Sequence, residues 1–72
     1  ITDAGLAYLK DLGQLRELHL THCFRITDAG LAHLEDLGQL RRLAIFGCWR
    51  ITDAGVQRIR KALPQCHVSG RP

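Results

Sequence analysis

The chain has 72 residues, 46% of them apolar and 24% charged, with a formal net charge of +3 at pH 7. That length allows one domain at most, near the size at which core burial barely offsets chain entropy, and the apolar share excludes a disordered chain. No apolar run reaches the length of a membrane span, and the charge is too small for a dedicated nucleic-acid binder. The three cysteines are an odd number. They fit reduced thiols in an intracellular, reducing compartment (cytoplasmic, with mitochondrial as the alternative) better than a disulfide framework.

In chain order, a first helix starts at Asp3, and Gly13 is placed to end it with a positive φ. Leu15-x-x-Leu18-x-Leu20 follows, with Leu18 and Leu20 on one side of an extended segment, as the two-residue strand period requires. Cys23 and Ile26 carry the inward set through a turn. Thr27 then caps a second helix, with Asp28 at the favoured positive end of its dipole. Leu31, Leu34 and Leu37 recur at helical spacing toward the same core, and Gly38 takes the role of Gly13. Leu40, Leu43 and Ile45 repeat the strand, and Cys48 and Ile51 repeat the turn. In the third helix Val56, Ile59 and Leu63 face inward, Gln57, Arg58, Arg60 and Lys61 face outward, and Pro64 stops it. Val68 takes the place of Leu43 in an edge strand, followed by Ser69, Gly70, Arg71 and Pro72.

These elements form a repeat. Ile-Thr-Asp-Ala-Gly occurs at residues 1–5, 26–30 and 51–55, and residues 1–25 match 26–50 at 17 of 25 positions without a gap. Leucines at fixed offsets with a period in the twenties define a leucine-rich solenoid of α/β class, with parallel strands on the concave face and short helices on the convex face. No single unit can cover its leucines, so neighbours bury them together. The expected organisation is one domain over 1–72: repeats 1–25 and 26–50, and a C-terminal capping repeat 51–72. The C-terminus is expected to be a true end of the array. The first helix has no strand before it, so a preceding repeat or a partner is expected to cover that side.

Written as L-x-x-L-x-L-x-x-C-x-x-I-T-D-x-G-L-x-x-L, the unit resembles the cysteine-containing class of leucine-rich repeat. Leu15, Leu18, Leu20, Cys23, Ile26, Thr27, Asp28, Gly30, Leu31 and Leu34 carry the match, as do Leu40 through Ile59 with conservative changes. Here the period is one residue shorter than is common in that class. Such repeats form the substrate-recognition part of F-box ubiquitin-ligase receptors. Similar arrays in large bacterial proteins often end in a segment like Leu63–Val68, and looser versions occur in mitochondrial assembly factors. The resemblance implies a non-catalytic protein–protein interaction scaffold, as the end of a longer array or a small subunit of a complex. A ubiquitin-ligase receptor is the alternative, although fold alone does not carry that chemistry.

Repeats one and two differ at eight positions, and six lie in the strand and the turn after it: Glu17/Arg42, His19/Ala44, Leu20/Ile45, Thr21/Phe46, His22/Gly47 and Phe24/Trp49. Strand side chains alternating with the core set point to the concave surface. Three columns are expected there: Glu17–Arg42–His67, His19–Ala44–Ser69 and Thr21–Phe46–Arg71. Phe24 and Trp49, followed by Arg25 and Arg50, form a ladder on the adjacent rim. Aromatic and arginine side chains are enriched at interface hot spots, so the candidate partner-binding residues are Arg42, Phe46, Trp49, Arg50, Phe24, Arg25, His19 and Glu17. Two structural readings stand beside this: Glu17 and Arg42 pair across the strands to set register, or Phe24 and Trp49 pack on each other over the turn.

No cofactor or metal is expected. His19-x-x-His22-Cys23 has metal-ligand residue types, but on the strand reading His19 and Cys23 diverge. Cys23 and Cys48 read as buried structural thiols, and Cys66, near an edge, as the most reactive one. Phosphate-loop, zinc-protease and serine-hydrolase motifs are absent, and a helix cap accounts for Asp3, Asp28 and Asp53, so the chain does not read as an enzyme. Arg25, Arg41, Arg42 and Arg50 with Phe46 and Trp49 give a weaker second reading as a single-stranded nucleic-acid binder. The partner is expected to be another protein over the concave face and the open N-terminal edge, with self-association as a further outcome.

Overall fold

The computed structural model describes residues 2–70. Elements alternate along the chain: α1 (Asp3–Leu9), β1 (Glu17–His19), α2 (Asp28–Ala32), a 3₁₀ turn (His33–Asp36), β2 (Arg42–Ala44), α3 (Asp53–Ala62) and β3 (His67–Ser69). Threonine starts each helix. The hydroxyls of Thr2, Thr27 and Thr52 accept hydrogen bonds from the backbone N–H groups of Gly5, Ala29 and Gly55 at 3.2–3.3 Å, satisfying donors that have no partner within the helix.

The three strands form one parallel sheet in the order β1-β2-β3. Leu18 lies opposite Leu43 and Leu43 opposite Val68, so the register follows the repeat period. The core fills the space between this sheet and the helices. Leu6, Ile26, Leu34, Leu37, Leu43 and Ile51 are buried to 1% exposure or less, and there is no buried polar or charged residue among the described ones.

Apolar spacing is compatible with how the second and third helices are wound, although Leu6, Leu9 and Leu12 have the spacing of the second in a helix that stays α through Leu9. Leu31, Leu34 and Leu37 are separated by three and three, and a chain with three residues per turn keeps all of them on one face. The second helix tightens from α to 3₁₀ at His33. Val56, Ile59 and Leu63 are separated by three and four, matching 3.6 residues per turn, and α3 is a regular ten-residue helix. That extra residue shifts the loop that follows it. The turn bond from Leu40 N–H to Leu37 C=O (3.0 Å) has its counterpart in Cys66 N–H to Leu63 C=O (2.9 Å). Cys66 therefore occupies the core place of Leu40 and is buried, contrary to its expected position near an edge.

The helix-ending glycines also differ from expectation. Gly13 and Gly38 do not take positive φ; Leu12 N–H and Leu37 N–H bond three residues back to Leu9 and Leu34 C=O, which closes the helices without a left-handed residue. The left-handed backbone lies instead in the turn after each strand, at His22 (φ 57°) and its equivalent Gly47 (φ 74°).

A ladder ties the helix starts together. The Asp3 carboxylate accepts from Thr27 N–H at 2.8 Å and from the Thr27 hydroxyl at 2.6 Å. Asp28 holds Thr52 in the same way at 2.8 and 2.5 Å. These charge-assisted bonds cross from one repeat to the next. They place the Asp3 carboxylate where a Cβ on Gly30 would be, and the Asp28 carboxylate where a Cβ on Gly55 would be. The glycine of Ile-Thr-Asp-Ala-Gly is thus the floor of the preceding repeat's aspartate site.

Candidate interaction face

The sheet surface turned away from the helices carries an open groove of about 460 Å³. Its three rows follow from the register: Glu17 beside Arg42 beside His67, and His19 beside Ala44 beside Ser69. Thr21 and Phe46 close one end. The third member expected in that row, Arg71, lies outside the described residues. Because the core set occupies the alternate positions, every side chain in these rows is free of packing duty except the small Ala44, which is buried at the groove floor.

Arg42 is exposed, and Phe46 leaves half of its surface (52%) open. Glu17 lies opposite Arg42, but among the described residues no ion pair joins them; the Glu17 carboxylate is 3.7 Å from His19 Nε2. Both side chains are largely solvated, so this contact contributes about 0–1 kcal/mol and leaves the Arg42 guanidinium available.

Of the eight residues singled out from sequence, the groove brings together Glu17, His19, Arg42 and Phe46. Phe24, Arg25, Trp49 and Arg50 lie apart from it on the turns that follow β1 and β2, and all four are exposed. Phe24 makes its ring contact with His22, centroids 6.3 Å apart and tilted 45°. Trp49 is 76% exposed; the packing of Phe24 on Trp49 over the turn is not among the ring contacts. Arg41 is tied to the loop before β2 by its guanidinium, which donates to Gly38 C=O at 3.2 Å and Leu40 C=O at 3.4 Å. The four arginines expected to line a nucleic-acid groove therefore contribute only Arg42 to it.

No three histidine, cysteine or acidic side chains gather to hold a metal among the described residues, and no helix there is long and apolar enough to cross a membrane. All three cysteines are free. Burial pushes the Cys48 thiol up, and its hydrogen bond to Leu20 C=O holds the proton-bearing form in place. Burial also raises Cys66, against a smaller opposing effect of Arg41. A thiol raised by burial is a poor nucleophile at neutral pH, so Cys66 is a core residue and not a reactive one.

Two exposed apolar side chains lie in the first unit: Tyr8 is 81% exposed, and Leu12 is 51% exposed where its equivalent Leu37 is 0%.

The described residues form strand–helix units that repeat along the chain, and the strand face differs between the first two. A model of the leucine-rich repeat family matches residues 15–37 and 40–59, and the chain belongs to that family. Its fold generally serves interaction with other proteins and not catalysis. No curated protein sequence matches the chain.

Proposed function

We propose that this chain is a non-catalytic protein-interaction scaffold, a segment of leucine-rich solenoid in which residues 1–72 act as two repeats (1–25 and 26–50) and a capping repeat (51–72). One observation carries the reading: Arg42 and Phe46 stand at opposite ends of a groove whose floor is the small Ala44. Nothing in the core requires those two side chains. They are four residues apart, Arg42 at the start of β2 and Phe46 in the turn just after it. The groove thus suits a partner segment that presents a carboxylate to Arg42 and an apolar side chain to Phe46 at that separation. Arginine and phenylalanine in a desolvated groove supply anchoring, and His19 and His67 add donors beside Arg42. Phe24, Arg25, Trp49 and Arg50 form the rim that such a partner would reach next.

Selection of displayed random peptides on the 72-residue chain tests this reading. Enriched peptides should carry an acidic and an apolar residue at fixed separation. They should lose binding to Arg42→Glu and Phe46→Ala variants that keep the parent circular dichroism, while Trp49→Ala weakens binding less. Peptides indifferent to Arg42 and Phe46 would remove the groove from the function.

A further inference from the structure

Two histidines share the groove with Arg42, and their electrostatic surroundings differ. His19 Nε2 is 3.7 Å from the Glu17 carboxylate, so a proton gained by His19 meets an acid already in place. His67 has no such neighbour. It lies directly opposite Arg42 in the register of β2 and β3, about 4.8 Å away across the strands, and among the described residues no acid pairs with it. A proton gained by His67 therefore faces the Arg42 guanidinium, a like charge on the adjacent strand.

The other charges around β3 leave that balance as it is. Glu17 is one strand beyond Arg42. Arg41, whose C=O accepts from His67 N–H at 2.7 Å, has its guanidinium turned to Gly38 and Leu40 C=O. Helix α3 packs on β3 from the side where Val68 and Cys66 join the core, so Asp53, Arg58, Arg60 and Lys61 belong to the other face of the sheet. Stacking does not cover the face that His67 and Arg42 share: Arg42 is exposed with a strand on each side of it, and His67 is exposed as well.

We propose that Arg42 and His67 form one carboxylate site with a proton as its second ligand: an acidic partner segment binds with proton uptake at His67, and binds more tightly as pH falls from about 7.5 to about 5.5. This rests on the groove reading above and specifies how that contact is regulated. A carboxylate seated between the two side chains removes their repulsion and adds an attraction, so it favours the charged imidazole. By linkage, the charged imidazole favours the carboxylate by the same factor. Imidazole changes charge between about pH 5 and 8, whereas aspartate and glutamate stay ionised above about pH 5. The gain is complete where the free chain already carries the proton, and it is lost as pH rises past the point at which the complex releases it. Each exposed charge pair contributes little, so the expected gain is about three- to fivefold in affinity.

The test is titration calorimetry of the 72-residue chain at both ends of that pH range, with circular dichroism on the same samples. The probe is a peptide from the display selection, free of histidine and capped at both ends, so that carboxylates are its only acidic groups. The expected result is tighter binding at the acid end, with proton uptake seen as a dependence of the heat on the ionisation enthalpy of the buffer. His67→Gln should bring the ratio of the two affinities close to one. His67→Lys, charged throughout the range, should do the same while binding more tightly than the parent at the neutral end. His19→Gln should keep the ratio, because Glu17 already answers that proton in the free chain. Equal affinities of the parent at both pH values overturn the proposal, as does a ratio that survives His67→Gln or vanishes in His19→Gln. A peptide whose binding is unchanged by Arg42→Glu defeats the groove reading itself, and with it this site.

Discussion

Asp28 illustrates how much one side chain does in this fold. It sits in the first turn of α2, where a carboxylate complements the helix dipole, and it also takes both the N–H and the hydroxyl of Thr52 in the next repeat. The Thr52 hydroxyl donates to Asp28 and accepts from Gly55 N–H, so its donor and one acceptor site are both used. A methyl group on Gly55 would occupy the position of the Asp28 carboxylate. In an unconstrained helix, glycine to alanine stabilises by about 0.5–1 kcal/mol, whereas losing charge-assisted hydrogen bonds costs about 1.5–3 kcal/mol. Gly55→Ala should therefore destabilise the chain by about 1–2 kcal/mol in urea denaturation. In the Asp28→Ala background the penalty should shrink, because only the Cβ of residue 28, at 3.1 Å, remains against the added methyl. Equal effects of Gly55→Ala in both backgrounds would show that the aspartate site does not constrain that glycine.

At the level of whole elements, what could be read in the sequence depended on whether the determining contact was local. The register Leu18–Leu43–Val68 was legible because strand alternation and a fixed repeat period leave one alignment. The end of α3 was legible because Pro64 cannot continue a helix. The 3₁₀ winding after Ala32 was not legible, because Leu6, Leu9 and Leu12 have the same three-three spacing as Leu31, Leu34 and Leu37 in a helix that stays α through Leu9. Cys66 was misplaced because one extra helical residue shifts the loop and is absorbed before Val68, so a gapless alignment hides it. Asp3 and Asp28 had a sufficient local reading as first-turn acids, which concealed their bonds to threonines of the next repeat. In the groove, the rows of Glu17, His19 and Arg42 were legible, but the choice of His19 over Arg42 as the ion-pair partner of Glu17 depends on side-chain reach. The asymmetry of the two ends was legible in outline, because the first helix has no strand before it while the third helix is polar on its outer side; the residues it exposes were not. It can be tested with one residue type at one repeat position. Leu37→Ala removes a fully buried side chain and should cost about 2–5 kcal/mol, lowering the thermal midpoint by about 10 °C or more. Leu12→Ala, at the equivalent exposed position, should move it by no more than a few degrees at low protein concentration. Comparable shifts for the two would mean that the first repeat is as well covered as the second.

Across the whole molecule, the repeats stack in one dimension and each contacts only its neighbours, so stability is a sum of unit and interface contributions. The first helix packs against the second helix and the 3₁₀ turn after it. That seven-residue helix buries only Leu6, while the ten-residue α3 buries Gly55, Val56 and Ile59. Local opening should begin where buried apolar contact is least, so α1 and the segment that leads to β1 should open before the rest of the chain does. Amide hydrogen exchange of the 72-residue chain should show this as a gradient. The amides of α1 should exchange fastest, those of β2 and α3 slowest, and Leu20 N–H, bonded to Ala44, should lie between them. Uniform protection from α1 to α3 would mean that the chain opens only as a whole.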